Sequence, residues 1–423
     1  MVKERRLEMN IILGHGRRSG EMIVPSSKSH TLRLLICATL TEQMNEIVCP
    51  GSCDDIDAAV SCLKALGSDI TQEDEGVITV GRFEPGNEAV LNCGESGSAL
   101  RFFLPLACAL GVNTRLYMRG KLPSRPILPL CDALTQNGAE ILRYDDYISC
   151  RGKLQSGDYI LPGNVSSQFI SSLLMALPLL EGDSIITVTG RIESAGYIAM
   201  TEESLRLSGI SFLKEENRYI IPGNQRYSLP KLVRAEPDIS AAAFPLCIGA
   251  LSERGVTVRG IGEKTTQPDG EIISILTAFG ALVSFDGNDI TVSKGSFSHF
   301  KMDASRTPDL VPPLCALAAA AGCDFTAYNC ERLSLKESDR ISSCIDTINS
   351  LGGVAYREDN SIVVKGKIPL PGGIVSSCRD HRIAMMAAVI SCGCAGDVII
   401  TDGECVAKSY PDFWEQFKKL EEE

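Results

Sequence analysis

The chain has 423 residues, of which 44% are hydrophobic and 22% charged, as is typical of a globular protein large enough for two or three cores. Its net charge of −12 disfavours nucleic acid and membrane surfaces as partners, because both are polyanionic. An odd set of 17 cysteines without a paired CxxC, together with only 4 histidines, disfavours a disulfide framework and a zinc site.

Two features predict where the protein is found. The N-terminal stretch "MVKERRLEMN" lacks the apolar core of a signal peptide, and the longest apolar runs, such as residues 310–323, are too short to span a bilayer. The cysteines are expected to be small buried side chains in a reducing compartment. The sequence therefore predicts a cytoplasmic protein.

A repeat of about 71 residues organises the chain. Helical faces that end in glycine are each followed by a strand, a polar turn and a second strand. These glycines, which we expect in the left-handed conformation, are Gly67, Gly138, Gly209, Gly280 and Gly352. A second series of residues is also spaced by 71 positions, and each member begins an apolar segment: Ser96, Ser167, Asp238, Asp309 and Asp380. We expect these segments to be buried helices with the Ser or Asp residue as N-cap.

One step back from Ser96 reaches Pro25, so the unit is present six times. The sixth copy ends in a surface helix without return strands, and we expect the N-terminal segment 7–24 to complete it. Three copies per domain predict one domain of residues 21–234 and a second of 1–20 plus 235–423. The two chain crossings between them suit a hinge that closes over a ligand.

Lysine and arginine residues occur at the predicted helix starts, where the helix dipole disfavours a cation. They are Lys28, Arg33, Arg101, Arg125, Lys336, Arg340, Arg379, Arg382 and Lys408. In a chain of net charge −12, their recurrence at matched positions indicates a polyanionic ligand, since helix N-termini and cations both bind phosphate and carboxylate.

The stretch "LSLKESDRI" has a purely structural reading as well. Lys336 and Arg340 are spaced as one face of the opening turns of a helix, which could be a solvated face with Glu337 and Asp339. Ser334 and Glu337 have the spacing of a capping box, and Asp309 in "TPDL" has the form of an N-cap.

The motifs in this order resemble those of the 5-enolpyruvylshikimate-3-phosphate (EPSP) synthase family. They span residues 24–412 and read "VPSSKSHTLRLL", "ESGSALRF", "SRP", "VSSQF", "KESDR", "DHRIAM" and "CVAKSYPD". The resemblance implies an α/β fold of two inverse α/β barrel domains, each built from three βαβαββ-type repeats with buried parallel helices, and an active site in the interdomain cleft. It implies transfer of the enolpyruvyl group of phosphoenolpyruvate to the 5-hydroxyl of shikimate 3-phosphate by a monomer without metal or organic cofactor.

The resemblance also implies roles for individual residues. Phosphoenolpyruvate would be bound by Lys28, Gly97, Arg125, Gln168, Arg340, Arg382 and Lys408. Shikimate 3-phosphate would be bound by Lys28, Ser29, Arg33, Ser166, Ser167, Gln168, Ser194, Tyr197, Asp309 and Lys336. Asp309 would accept the proton of the 5-hydroxyl, and Glu337 or Lys28 would protonate the methylene carbon of phosphoenolpyruvate.

Three positions depart from the pattern of many members. Glu95 stands where asparagine is common, Ser98 where threonine is common, and Arg332 where some members have an asparagine that contacts the shikimate phosphate. An acid beside a phosphoenolpyruvate site is unfavourable, so we expect Glu95 to turn away or to pair with Arg101 or Arg125.

Two other functions fit parts of the pattern. The sister enzyme that transfers enolpyruvate to UDP-N-acetylglucosamine uses a catalytic cysteine in the loop that here reads "GKLPSRP", which contains none. A non-catalytic anion-binding scaffold could be built on the same repeats, and its function would tolerate the loss of Asp309.

Overall fold

The computed structural model describes residues 10–73 and 76–423. Contacts between Cα atoms divide the chain into two compact units. The continuous unit is Ser26–Glu236, and the split unit contains the described chain up to Pro25 together with Pro237–Glu423. That these units are the domains 21–234 and 1–20 plus 235–423 stays a prediction.

Helices and strands alternate through both units. The chain up to Pro25 contains β1 (Ile11–Leu13) and β2 (Arg18–Ile23). The continuous unit contains α1 (Lys28–Thr39), β3 (Asn45–Val48), α2 (Asp54–Leu66), β4 (Ser68–Gln72), β5 (Val77–Phe83), β6 (Glu88–Asn92), α3 (Gly97–Leu110), β7 (Asn113–Tyr117), α4 (Leu128–Gln136), β8 (Glu140–Arg143), β9 (Tyr147–Arg151), β10 (Asp158–Pro162), α5 (Ser167–Ala176), β11 (Ser184–Thr189), α6 (Ala195–Leu207), β12 (Leu213–Lys214), β13 (Arg218–Ile221) and β14 (Leu232–Arg234).

The split unit resumes after the second crossing. It contains α7 (Ile239–Ala250), β15 (Val256–Arg259), α8 (Glu271–Phe279), β16 (Leu282–Asp286), β17 (Asp289–Ser293), β18 (Phe300–Asp303), α9 (Val311–Ala321), β19 (Phe325–Tyr328), α10 (Arg340–Ser350), β20 (Val354–Glu358), β21 (Ser361–Lys365), β22 (Gly373–Ser376), α11 (His381–Ser391), β23 (Val398–Thr401), α12 (Phe413–Lys419) and β24 (Glu421–Glu422).

The first helix of each repeat is buried, as its composition predicts. Every residue of α7 and α11 is buried, and both helices lie in the core of the split unit. The predicted N-caps Ser96, Asp238 and Asp380 are confirmed, because each side chain accepts a backbone N–H in the first turn. Two predicted caps are wrong. Ser166, rather than Ser167, caps α5, and Asp309 lies in a 3-10 turn (Pro308–Leu310) ahead of α9.

The left-handed glycines are confirmed. Gly67, Gly138, Gly209, Gly280 and Gly352 have φ values of 109°, 98°, 73°, 107° and 87°. At Gly67 the chain also leaves no room for a side chain, since a Cβ would lie 2.1 Å from the carbonyl oxygen of Glu84. The periodic glycines therefore mark the end of the surface helix in each of these repeats.

The sheets repeat one strand order. The second, third and fifth repeats form β6-β7-β9-β8, β10-β11-β13-β12 and β18-β19-β21-β20, each with a parallel first pair. The sheet of the first repeat takes β14 as its parallel edge strand, and that of the fourth takes β2 in the same place. In each unit, a strand next to a chain crossing therefore completes the sheet of the first repeat of that unit. This strand is β14 in the continuous unit and β2 in the split unit.

The expectation that the N-terminal segment completes the sixth repeat is half right. β1 pairs antiparallel with β23 of that repeat. β2 instead pairs with β15, because the turn after Leu13 redirects the chain and the free parallel edge of β15 accepts it. The predicted lack of return strands in the sixth repeat is confirmed in the described chain, because the short β24 after α12 pairs with β2 and not with β23. Residues 7–9 of the predicted segment lie outside the described residues.

The thiols behave as small apolar side chains. All 17 cysteines are free and fourteen of them are buried. Burial raises the pKa of Cys37, Cys53 and Cys330 to about 12, so these thiols stay protonated at neutral pH. In the part of the chain that the structure describes, we find no helix with the length and apolarity needed to cross a membrane.

Candidate functional site

Seven charged side chains of the split unit come together at the starts of its helices. We call this set, defined by Asp309, Lys336, Glu337, Arg340, Asp380, Arg382 and Lys408, the Asp309 cluster. Asp309 precedes α9, Arg340 opens α10, and Asp380 caps α11. Asp309 and Arg340 are 31 positions apart in the chain, and Arg340 and Asp380 are 40 apart. They come together because the repeated fold aligns these helix starts.

Asp309 is the carboxylate on which the cations converge. Its Oδ1 lies 2.7 Å from Arg340 Nη1, 3.3 Å from Lys336 Nζ and 3.4 Å from Arg382 Nε. Burial opposes ionisation of this carboxyl, but the charges of the three cations outweigh burial and hold its pKa well below the usual range. Asp309 is therefore ionised at neutral pH.

Arg340 is enclosed by carboxylates. Its side chain is 1% exposed, and Asp380 binds it through two contacts, Nε to Oδ2 at 2.8 Å and Nη2 to Oδ1 at 3.1 Å. Glu337 Oε2 lies 2.9 Å from Nη2. Such fork-shaped contacts fix the guanidinium plane as well as its charge. The solvated-face interpretation of this residue is therefore wrong.

The predicted helix start is also wrong. α10 begins at Arg340 with Asp339 as its N-cap, and Lys336 lies after a 3-10 turn (Glu331–Leu335) outside the helix. Ser334 Oγ donates to the carbonyl of Glu331. Glu337 contacts Arg340 and, at 3.7 Å, Lys408 Nζ. The capping box does not form because the long-range ion pairs draw Glu337 towards the cluster.

Lys336 loses its proton more readily than an ordinary lysine. Burial and the neighbouring charges of Arg340 and Arg332 outweigh the attraction of Asp309, and they lower the pKa of Lys336 to about 8. A lysine with this pKa is only partly protonated at slightly alkaline pH. Its charge is therefore sensitive to conditions in which ordinary lysines do not titrate.

A further acid, which the sequence analysis missed, lies behind the cluster. Asp269 is fully buried and accepts a hydrogen bond from Ser240 Oγ. Burial and the nearby charge of Asp309 raise the pKa of Asp269 to about 6, against the opposing effect of Arg382. The Arg382 guanidinium lies between these groups, since Nη1 donates to the carbonyls of Ser240 and Asp309 at 3.3 and 3.4 Å.

In the continuous unit, Lys28 and Arg33 lie on the first turns of α1 as predicted. Lys28 Nζ lies 3.0 Å from Asp55 Oδ2 at the start of α2. Arg33 is 2% exposed and donates to Thr201 Oγ1 at 2.7 Å and to the carbonyls of Ser29 and Tyr197 at 2.6 and 3.0 Å. Burial lowers the pKa of Arg33 to about 10, so it remains a cation at neutral pH.

The hydroxyl-rich residues that the sequence singles out lie at two other helix starts of this unit. Ser166 caps α5, Ser167 is its first residue, and both are buried. Ser194 precedes α6 with a left-handed backbone of φ 52°, and Tyr197 lies in the first turn. A non-glycine residue in that conformation is uncommon, and such positions concentrate at functional sites.

A group around the start of α3 contains the remaining predicted residues of this unit. Arg101 Nη1 donates to Gln168 Oε1 at 2.7 Å, and Arg125 lies against Gly97, the first residue of α3. The Glu95 carboxylate packs on Gly120, where a Cβ would lie 2.4 Å from Oε1. Glu95 thus points to the turn after β7.

The repeat itself could have identified Asp55 and Asp269, two acids that the sequence analysis missed. A step of 71 residues from Asp55 reaches Pro126, Tyr197, Pro268, Asp339 and Tyr410, each at or beside the start of the second helix of a repeat. Predicted residues such as Arg125, Tyr197 and Arg340 cluster at that position. Asp55 and Asp269 occupy it in the first and fourth repeats, and this pattern was the available signal.

Two more observations complete the site. Arg379, one of the predicted cations, is exposed and has a left-handed backbone with φ 54°, next to the cap of α11. Within residues 10–73 and 76–423, no group of three or more His, Cys, Asp or Glu side chains is arranged to hold a metal ion.

Comparison with known proteins identifies relatives along nearly the whole chain. The sequence model described as EPSP synthase (3-phosphoshikimate 1-carboxyvinyltransferase) matches residues 13–417. The 3-phosphoshikimate 1-carboxyvinyltransferase of Clostridium kluyveri is 37% identical over 411 residues, which cover 95% of each chain. That of Clostridium beijerinckii is 34% identical over 425 residues, which cover 97% of each chain.

Solved structures share the fold. EPSP synthase from Acinetobacter baumannii superimposes with a TM-score of 0.79 at 24% identity and covers 97% of this chain and 98% of its own. The enolpyruvyl transferase NikO from Streptomyces tendae has a TM-score of 0.78 at 16% identity, with 98% of each chain covered. The predicted fold class of two inverse α/β barrels is confirmed.

Proposed function

The chain belongs to the EPSP synthase family, and from this premise we propose that the Asp309 cluster and the helix starts of the continuous unit bind the two substrates of its reaction. The family reaction transfers the enolpyruvyl group of phosphoenolpyruvate to the 5-hydroxyl of shikimate 3-phosphate and releases phosphate. The protein is thus an enzyme of the shikimate pathway, which leads to aromatic amino acids.

The proposal rests on one observation above all. Three cations, Lys336, Arg340 and Arg382, meet at a single carboxylate, that of Asp309, whose side chain is 14% exposed. Such a set of cations can bind the phosphate and carboxylate groups of anionic substrates through charge-assisted hydrogen bonds.

Each residue set receives a role. Lys28, Gly97, Arg125, Gln168, Arg340, Arg382 and Lys408 bind phosphoenolpyruvate. Lys28, Ser29, Arg33, Ser166, Ser167, Gln168, Ser194, Tyr197, Asp309 and Lys336 bind shikimate 3-phosphate. The buried Arg33, surrounded by hydroxyl and carbonyl oxygens, and the serine hydroxyls at two helix N-termini supply donors suited to a phosphate or a carboxylate.

Proton transfer is assigned to two carboxyl groups. Asp309 accepts the proton of the 5-hydroxyl as that oxygen attacks phosphoenolpyruvate and its methylene carbon is protonated, which forms a tetrahedral intermediate with a methyl group. Loss of a proton from that methyl group then restores the double bond as phosphate leaves. The low pKa of Asp309 makes it a weak base. Substrate anions that take over its cations raise that pKa and strengthen the base. Glu337, next to Arg340 and Lys408, delivers the proton to the methylene carbon, with Lys28 as the second candidate.

A phosphate-release assay tests the reaction. The protein is incubated with phosphoenolpyruvate and either shikimate 3-phosphate or UDP-N-acetylglucosamine, and phosphate is measured by a coupled enzyme. We expect release with shikimate 3-phosphate only. Release with the nucleotide sugar alone would assign the sister reaction, and release with neither would leave the non-catalytic scaffold.

Two further properties belong to the proposal. We propose that the enzyme acts in the cytoplasm, where its metabolite substrates are found, and as a monomer. Size-exclusion chromatography with light scattering measures its mass in solution against the 45.5 kDa of one chain. A mass of twice that value would contradict the monomer.

The pKa of Lys336 predicts a pH limit on substrate capture. Only the protonated amine attracts phosphate, and protonation is lost as pH rises through about 8. We therefore expect kcat/KM for shikimate 3-phosphate to fall by about tenfold per pH unit above that value, because this ratio reports the free enzyme. Steady-state rates at phosphoenolpyruvate concentrations well below its KM, between about pH 6.5 and 9.5, measure it.

A matched pair of variants isolates this group. Lys336→Arg keeps its charge at every pH and is expected to move the fall to higher pH. Lys365→Arg, at a half-exposed lysine paired with Asp324, is the control and should keep the profile of the parent enzyme. A profile that stays the same in Lys336→Arg would assign the limit to another group.

A further inference from the structure

Arg101 is a buried cation that has no assigned role in the proposed function. It lies one turn into α3 and is 4% exposed. Its guanidinium contacts two other parts of the continuous unit, the start of α5 and the start of α4. Both parts carry residues that the proposed function places on phosphoenolpyruvate.

The first contact fixes an amide. Arg101 Nη1 donates to Gln168 Oε1 at 2.7 Å, while the guanidinium carbon lies 5.6 Å from the ring centroid of Phe169, the next residue of α5. Arginine has donors only, so the Gln168 amide must turn its oxygen towards Arg101. Its NH2 group then points away from Arg101 as a pair of donors with a defined direction.

The second contact fixes the backbone beside another cation. Arg101 Nη2 donates to the carbonyl oxygen of Pro126 at 2.9 Å, directly after Arg125. Arg125 and Arg101 both lie against the first residue of α3, since a Cβ at Gly97 would be 2.8 Å from Arg125 Nη1 and 3.4 Å from Arg101 Nη1. One planar guanidinium thus bonds to both neighbouring segments at once.

We propose that Arg101 is a positioning residue of the enolpyruvyl transfer, which orients the Gln168 amide and the Arg125–Pro126 backbone so that Gln168 and Arg125 present donors to phosphoenolpyruvate. Arg101 acts through these two residues rather than on the substrate. The inference rests on the proposed function and deepens it. A lysine cannot replace this residue, because a single ammonium lacks the planar fork that reaches both acceptors.

Steady-state kinetics of Arg101→Lys test the proposal. We expect the KM for phosphoenolpyruvate to rise by about ten- to a hundredfold, the scale on which small misplacements of binding groups act. The KM for shikimate 3-phosphate should change less, and the melting temperature should stay near that of the parent enzyme. Arg115→Lys, at an exposed arginine of β7, is the matched control and should leave both constants unchanged.

A double-mutant cycle shows whether Arg101 acts through Gln168. Arg101→Lys, Gln168→Ala and the double variant are compared by kcat/KM for phosphoenolpyruvate. We expect the double variant to lose clearly less than the product of the two single losses, because the first change already misplaces the amide. Fully multiplicative losses would overturn the proposal.

The outcomes separate this inference from the function on which it rests. If the parent enzyme releases no phosphate from phosphoenolpyruvate and shikimate 3-phosphate, the proposed function fails. If the parent is active and Arg101→Lys matches Arg115→Lys, only the role of Arg101 is overturned. A purely structural role for Arg101 would give a different result. In that case Arg101→Lys would lower the melting temperature and kcat but leave both KM values unchanged, and the inference would be overturned as well.

Discussion

Replacing Asp309 with alanine is expected to lower kcat by at least about a hundredfold, because general-base catalysis contributes about 10²–10⁴-fold. Its carboxylate is the proposed acceptor of the hydroxyl proton, and three cations hold it in place. The same change removes a negative charge from beside Lys336, Arg340 and Arg382. We expect this gain to offset most of the lost contact between Asp309 and shikimate 3-phosphate, so that both substrates bind nearly as in the parent enzyme.

Rates and affinities must be measured together to test this role. Calorimetric titration gives the binding constants, and phosphate release gives kcat. Asp309→Asn, which keeps the side-chain volume but is a far weaker proton acceptor, should show the same loss of kcat. Asp346→Asn, at an exposed acid on α10, is the control and should behave as the parent. An unchanged kcat in Asp309→Ala would remove Asp309 from the proton transfer.

The second large effect is on stability. Replacing Arg340 with methionine would leave the buried Asp380 and the partly buried Asp309 and Glu337 without their shared partner. Removing one member of a buried ion pair typically costs about 3–5 kcal/mol, since the remaining charge is not compensated. We expect the free energy of unfolding at neutral pH to fall by about that amount, measured by urea denaturation.

The pH dependence of this loss has a definite sign. Without Arg340, burial of carboxylates that have lost this cation favours their protonated forms. The folded variant then takes up protons as pH falls, and this uptake stabilises it relative to the unfolded state. The deficit against the parent should therefore shrink between about pH 8 and pH 5.

An exposed arginine provides the comparison. Arg226 pairs with Glu42, and their side chains are 85% and 81% exposed, so Arg226→Met should change the free energy of unfolding by less than about 1 kcal/mol. If Arg340→Met were as mild as Arg226→Met, or if its deficit were constant with pH, the cluster would not depend on Arg340 for its charge balance.

The ion pairs of the Asp309 cluster explain why lysine and arginine side chains are tolerated at helix starts, where the helix dipole disfavours a cation. The sequence predicts an external anion as the partner of these cations, and the structure pairs Arg340 with three protein carboxylates. Asp380 illustrates the difference. Its spacing identifies it correctly as the cap of α11, but its bidentate contact with Arg340 joins residues 40 positions apart. Nothing in the local pattern indicates that second role.

Ion pairs also prevailed over a local helix-capping pattern. Ser334 and Glu337 have the spacing of a capping box, yet Glu337 contacts Arg340 and Lys408. A capping hydrogen bond contributes about 1 kcal/mol, whereas buried cations left uncompensated cost several times as much. The helix therefore starts later than its pattern predicts, and Lys336 is free to reach Asp309.

The six repeats, the buried helices that open them and most of the charged residues at helix starts could be predicted from the amino-acid sequence. These features depend on a period of 71 residues and on local preferences for glycine, serine and aspartate, which short segments display on their own. Three features could not be predicted in this way: which carboxylate faces which cation, which strand closes each first sheet, and that Arg101 binds both Gln168 and Pro126. Those pairings depend on distances between residues far apart in the chain, which only the packing of the helices sets.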